Sequence, residues 1–213
     1  IRDTDRSRGL LDVYKRQIYV NGKRTFLKGG NWGMSEYLLR CRGKEYFTKV
    51  RLHKEMNFNI IRNWMGSTTD KEFYEACDLY GIMVWDDFWL NSKFGVPEFP
   101  DDFNRNAVEK IKRFRNHPSI VVWCGENEGT PGNYDTGESL DRNLAEHIAV
   151  YDASSRHYQS DSRKGNGLSG SGLWKNYKPS FYFADASNSF LGDKYPKDRG
   201  WGLRSEIGTA VFT

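Results

Sequence analysis

Five carboxylates stand at or near the ends of short apolar runs. Asp86 and Asp87 follow Ile82-Met83-Val84-Trp85, Glu126 and Glu128 follow Ile120-Val121-Val122-Trp123, and Glu206 lies between Leu203 and Ile207. Two carboxyl groups flanking one bond are what hydrolysis of a glycosidic linkage requires, one protonated at neutral pH and the other ionised. Burying the Glu206 carboxylate among its small and apolar neighbours is costly without a partner, so it either does chemistry or forms a structural ion pair with Arg62 or Arg204. Glu126 and Glu128 share strand parity, so alternation does not choose between them. Metal-assisted hydrolysis has weaker support: His53, His117, His147 and His157 are scattered, with no His-x-x-x-His or His-x-His spacing. No metal or cofactor is expected. His53 and His147 read as helix-surface residues and His117 as a helix end.

These acids must be positioned by the elements around them. Asn21-Gly22 between Ile18-Tyr19-Val20 and Arg24-Thr25-Phe26-Leu27 signals a hairpin. Strands are expected at 27–32, 60–64, 82–88 and 120–128, with shorter ones around 157–160, 181–183 and 201–206. Helices are expected at 44–56, from a cap at Thr69 or Asp70 to a stop at Gly81, from Asp101 or Asp102 through Phe114, and over 138–154. Strands that are apolar throughout and alternate with helices signal a parallel sheet covered on both faces. No Gly-x-Gly-x-x-Gly or phosphate loop opens a helix, which leaves a nucleotide-binding fold without its usual support. The remaining solution is an α/β chain folded as a (β/α)8 TIM barrel, about 250 residues when whole, here truncated near its seventh strand. Four strand ends carry polar or aromatic residues: Asn31-Trp32, Arg62-Asn63-Trp64, Asp86-Asp87 and Asn127-Glu128. Barrel active sites lie at the carboxyl ends of strands.

Composition narrows the partners. Aromatic residues make up 15% of the 213, with seven Trp, which suits a core, an interface or flat ligands such as sugar rings and bases. The net charge is +4, but residues 1–17 hold five basic and three acidic side chains. Without them the totals of 32 and 28 fall to 27 and 25, a net of +2, and no basic stripe remains for a phosphate backbone. Nucleic acid is therefore not an expected partner. Nor is a membrane, since no run approaches the roughly 20 apolar residues of a span. Cys41, Cys77 and Cys124 are too few for a disulfide framework and are expected to be reduced core residues.

The two ends read differently from the middle. Residues 1–17 lack an apolar period and the apolar core of a signal peptide. Residues 8–17 resemble translated adapter sequence, so 1–17 are expected to be a non-native or disordered leader and 18–213 a partial catalytic barrel. The chain stops at Thr213, directly after the apolar Ala210-Val211-Phe212, which leads to the expectation of a fragment cut at both ends.

The motifs, in order, resemble glycoside hydrolase family 2. Asn21-Gly22-Lys23 through Phe26-Leu27-Lys28-Gly29-Gly30-Asn31-Trp32 is similar to the opening of its catalytic barrel, and Asn59-Ile60-Ile61-Arg62-Asn63-Trp64 to its second strand. Phe73-Tyr74-Glu75-Ala76-Cys77-Asp78 with Gly81-Ile82-Met83-Val84-Trp85-Asp86-Asp87-Phe88 resembles the β-mannosidase branch. Arg115-Asn116-His117-Pro118 leading to Gly125-Glu126-Asn127-Glu128 resembles the acid/base strand, and Arg204-Ser205-Glu206-Ile207-Gly208 the nucleophile strand.

The resemblance implies a retaining hydrolase of terminal β-linked sugars, with Glu128 as general acid/base and Glu206 as nucleophile. It implies that Asn127 binds the sugar 2-hydroxyl, that Arg62 keeps Glu206 ionised, and that Asp87 contacts sugar hydroxyls. Trp64, Trp174 and Trp201 are candidate sugar platforms. The family frequently has Gly where this chain has Glu126, and often Gln-Asp where it has Asp86-Asp87. Its exo-β-glucosaminidase branch commonly places Asp at the acid/base position, so Glu128 leans towards mannosidase-like or galactosidase-like chemistry. Implied partners are a glycoside or oligosaccharide substrate and β-sandwich domains preceding the barrel. The implied location is bacterial periplasmic or secreted. The rival reading is a carbohydrate-binding fragment without catalysis, which would need no proton donor.

Overall fold

The structure is a computed structural model and describes residues 18–33, 41–91, 96–129, 139–152, 156–162, 170–171 and 204–206. It opens on the expected hairpin. Strands β1 (Tyr19–Val20) and β2 (Lys23–Arg24) pair antiparallel around Asn21 and Gly22, whose φ of 50° and 73° suit the turn that matches strand twist.

Five strands follow in one parallel sheet, in chain order: β3 (Gly29–Trp32), β4 (Ile60–Asn63), β5 (Met83–Asp87), β6 (Ile120–Glu126) and β7 (His157–Asp161). Helices α1 (Lys44–Glu55), α2 (Lys71–Tyr80), α3 (Pro100–Phe114) and α4 (Leu140–Tyr151) make the successive crossovers. This unbroken βα order is the progression of a TIM barrel. Strands β8 (Gly170–Ser171) and β9 (Arg204–Glu206) form a second parallel pair, and β9 reaches β3 through a hydrogen bond between Glu206 and Asn31. Counted from β3, β9 is the seventh barrel strand among the described residues.

Register divides each strand between two faces. Arg62 pairs with Trp85, Trp85 with Val122, and Asp87 with Cys124, so these side chains share the barrel interior. Ile60, Trp85, Val122 and Cys124 form its apolar floor. The opposite face sets Ile61, Val84 and Trp123 against Tyr46, Val50, Phe73, Tyr74, Ile111, Phe114 and Leu144 of the helices. Gly29 has no room for a side chain, because a Cβ there would lie 1.9 Å from the Ile60 carbonyl oxygen.

Some expected boundaries shift. Helix α3 begins at Pro100, not at Asp101 or Asp102, because proline at the first helical position loses no hydrogen bond and its φ suits the helix. Gly81 ends α2 as expected, with φ 65°. Asp70 precedes α2, but its carboxylate accepts from Arg42 and Tyr46 and does not cap the helix. Trp64 lies in a 3-10 turn with Met65 and Gly66, outside β4. β6 stops at Glu126, two residues short of the expected end. β8 was not expected, and the strand expected at 181–183 lies outside the described residues, as do 1–17. All three cysteines are buried and unpaired. Among the described residues no helix is long and apolar enough to cross a membrane.

Candidate active site

Arg62, at the inward-facing end of β4, is the hub. Its Nε donates to both oxygens of Asp87 (3.2 and 3.1 Å), and Nη2 donates to Asp87 Oδ2 at 2.6 Å. Nη1 donates to Glu206 Oε1 at 2.9 Å, and Nη2 also donates to Asn127 Oδ1 at 2.7 Å. The planar guanidinium is suited to such forked bonding. Burial opposes its charge, but Asp87 more than offsets this, so Arg62 is held above the ordinary arginine range.

Asp87 is fully buried. Besides Arg62, its Oδ1 accepts from the Trp85 indole at 2.9 Å and its Oδ2 from the Met65 main-chain N–H at 3.0 Å. With both oxygens occupied, Asp87 serves as the anchor of Arg62.

Glu206 is brought from β9 to the same centre. Its Oε1 accepts from Asn31 Nδ2 at 3.0 Å as well as from Arg62. Burial raises its carboxyl above the ordinary glutamate value, Arg62 and Asn31 pull it back down, and the charge of Glu128 pushes it up. Glu128 and Glu206 thus lie within electrostatic reach of each other, although 78 positions apart in the chain.

The end of β6 explains how Glu128 is turned. Beyond Glu126, Asn127 makes a parallel bridge to Asn91 and donates its N–H to the Leu90 carbonyl at 3.0 Å. Glu128 then takes φ 60°, a left-handed conformation unusual for glutamate, and its N–H is held by Ser162 Oγ at 3.0 Å. Ser162 also donates its N–H to the Glu126 carbonyl, while its own carbonyl accepts from Ser205 Oγ at 2.7 Å. One serine therefore ties the ends of β6, β7 and β9 together. The two candidate acids are no longer equivalent: Glu126 is the buried last residue of β6, whereas Glu128 lies past the strand and is partly open.

Asn127 Oδ1 accepts from both Arg62 and the Trp64 indole (3.0 Å). Its amide NH2 group is the end left to donate to a ligand. Trp64 is half-buried at this edge. Trp174 and Trp201 lie outside the described residues. Sequence reasoning missed Asn31, Ser162, Trp85 and Met65 as members of the site. Asn31 had a visible signal, a polar residue at a strand end. Ser162 had none, because its role depends on three strand ends meeting.

Residues 11–166 match the family model described as glycosyl hydrolases family 2, TIM barrel domain. The chain belongs to glycosyl hydrolase family 2. Within the family it is 41% identical over 143 residues to a mannosylglycoprotein endo-beta-mannosidase of Lilium longiflorum, covering 62% of this chain and 15% of that protein. It is 38% identical over 117 residues to beta-mannosidase B of Thermothelomyces thermophilus, covering 51% and 13%. The solved beta-D-mannosidase of Dictyoglomus thermophilum superposes over 87% of this chain and 24% of that one, with 31% identity and a TM-score of 0.63. A beta-glucuronidase of Bacteroides uniformis, at 24% identity and TM-score 0.56, shares the fold. This family 2 chain thus spans about a seventh of the length of the curated relatives it matches.

Proposed function

We propose that this chain is catalytic barrel of a retaining glycosidase that removes terminal β-linked mannose. The observation that supports the reading is the ion pair from Arg62 to Glu206, a carboxyl that also feels the charge of Glu128. Glu206 attacks the anomeric carbon while Glu128 gives its proton to the departing oxygen. The C–O bond of the glycoside breaks as the bond to Glu206 forms. Water then attacks the same carbon, its proton passes to Glu128, and Glu206 leaves as the carboxylate. Such a pair works at a separation of about 5–5.5 Å.

Arg62 favours the ionised form that attack requires. Asn127 donates its amide N–H to the 2-hydroxyl, a bond that strengthens as positive charge develops on the ring. Trp64, Trp174 and Trp201 are candidate faces for sugar rings. The preference for mannose rests on relatives of 31–41% identity that carry β-mannosidase names. The short share of those relatives supports β-sandwich domains preceding the barrel as partners in cis. A bacterial periplasmic or secreted location belongs to the same reading.

The test is a panel of aryl β-mannoside, β-galactoside, β-glucuronide and β-glucosaminide, given to the longest natural polypeptide that carries this sequence. The β-mannoside is expected to show the highest kcat/KM. Faster turnover of another glycoside would reassign the sugar, and binding without turnover of any would leave a carbohydrate-binding protein.

A further inference from the structure

Lys110 projects from α3 into the helix-facing side of the sheet, where only 3% of its surface is exposed. Its ammonium donates to Asp86 Oδ1 at 2.9 Å and to the main-chain oxygen of Asp87 at 2.6 Å. It lies 5.2 Å from the centre of the Phe88 ring and 5.1 Å from that of Trp89. A buried cation is tolerated only with such a full set of partners. Asp86 is completed by Tyr74 Oη (2.9 Å) and Asn63 Nδ2 (2.8 Å), so this cluster stands on the opposite face of β5 from the candidate acids.

The cluster is joined to the site through main chain. Gly66 packs so closely that a Cβ there would lie 2.4 Å from the Asp87 carbonyl oxygen and 3.0 Å from Lys110 Nζ. Its carbonyl accepts from the Trp89 indole at 3.1 Å. The neighbouring Met65, held at φ 51°, gives its N–H to the Asp87 carboxylate. Asp87 is thus gripped twice, by Lys110 at its carbonyl and by Met65 and Arg62 at its side chain.

We propose that Lys110 is a positioning residue for the glycosidase site: its ammonium fixes the carbonyl of Asp87 and the turn at Met65, so that the Asp87 carboxylate holds Arg62 against Glu206 and Asn127. Lys110 touches neither substrate nor the reacting carboxylates. The inference rests on the proposed glycosidase reading for its catalytic consequence, but not for its geometric one.

The test compares wild type with Lys110→Met in the longest natural polypeptide that carries this sequence. In case lone Asp86 prevents folding, it includes Asp86→Asn/Lys110→Met, which removes both charges. Crystal structures of wild type and variant read the geometry without any turnover. The Arg62–Glu206 and Met65–Asp87 bonds are expected to open in a variant that keeps its helices and strands. On an aryl β-mannoside, kcat is expected to fall by about 10- to 100-fold with KM unchanged. The acid limb of the kcat/KM profile should move to higher pH, as the cation leaves Glu206. A folded variant that keeps the Arg62–Glu206 bond, or keeps wild-type kcat and pH profile, overturns the proposal. A wild-type protein that turns over no glycoside overturns the functional reading instead, and the crystal structures still decide the role of Lys110.

Discussion

Arg62 Nη1 donates to Glu206 Oε1 at 2.9 Å across 144 positions of chain, joining the second and seventh barrel strands. The same guanidinium is neutralised by Asp87, which is wholly buried, so its charge is fixed over any working pH. Glu206 therefore feels the Arg62 cation, which lowers its carboxyl, and the charge of Glu128, which raises it. That arrangement gives two carboxyl groups different environments, and different environments separate acid from nucleophile.

Replacing Glu206 with Gln is expected to lower turnover of an aryl β-mannoside by at least about 10³-fold, because no covalent intermediate can form. Binding of a competitive sugar should persist, since the amide keeps the size and the bond from Arg62. Steady-state kinetics and calorimetry measure the two effects. Undiminished turnover would remove Glu206 from the nucleophile role.

For Glu128→Ala the loss should depend on the leaving group. A dinitrophenolate departs without a proton, so dinitrophenyl mannoside should still react quickly with Glu206. An alkyl mannoside should slow by about 10²–10⁴-fold. Azide, which needs no deprotonation, should restore the second step and release a β-mannosyl azide. An equal loss for both leaving groups would argue against proton donation from this position.

Burial raises Glu206, and so does the charge of Glu128. Since the nucleophile must be ionised, the acid limb for attack should lie above the ordinary glutamate range of about 4.3. Glu128→Gln removes one like charge, which favours ionised Glu206 and should move this limb to lower pH. The rate of the first step with a dinitrophenyl glycoside, followed against pH, measures it. A limb that stays in place would mean the two acids do not sense each other.

Much of this arrangement was legible in the residues. Asn21-Gly22, the helical run stopped by Gly81 and the apolar strands identified the hairpin, α2 and the parallel sheet, because local turn chemistry and burial decide those features. The ordered motifs pointed to Arg62, Asn127, Glu128 and Glu206. The role of Asp87 was not legible. Its bonds to Arg62, Trp85 and the Met65 main chain join two strands and a turn, which an aspartate at a strand end does not announce. The choice between Glu126 and Glu128 was likewise closed to strand parity, since β6 ends before Glu128 and the backbone there turns left-handed.

Arg62→Met should destabilise the fold by about 3–5 kcal/mol, because it leaves the buried Asp87 carboxylate without its cation. Denaturant unfolding measures the loss. Arg62→Met with Asp87→Asn should recover part of it while activity stays low, since Glu206 still lacks its cation. Full recovery of activity in the double variant would show that Arg62 serves stability alone.

The most direct measurement is covalent trapping. A β-mannosyl fluoride carrying fluorine in place of the 2-hydroxyl slows release of the glycosyl enzyme more than its formation, and mass spectrometry of the digested protein locates the sugar. The label is expected on Glu206, with β-configured product from the unmodified substrate. A label on Glu126, Glu128 or Asp87, or an α-configured product formed without any label, would contradict the account.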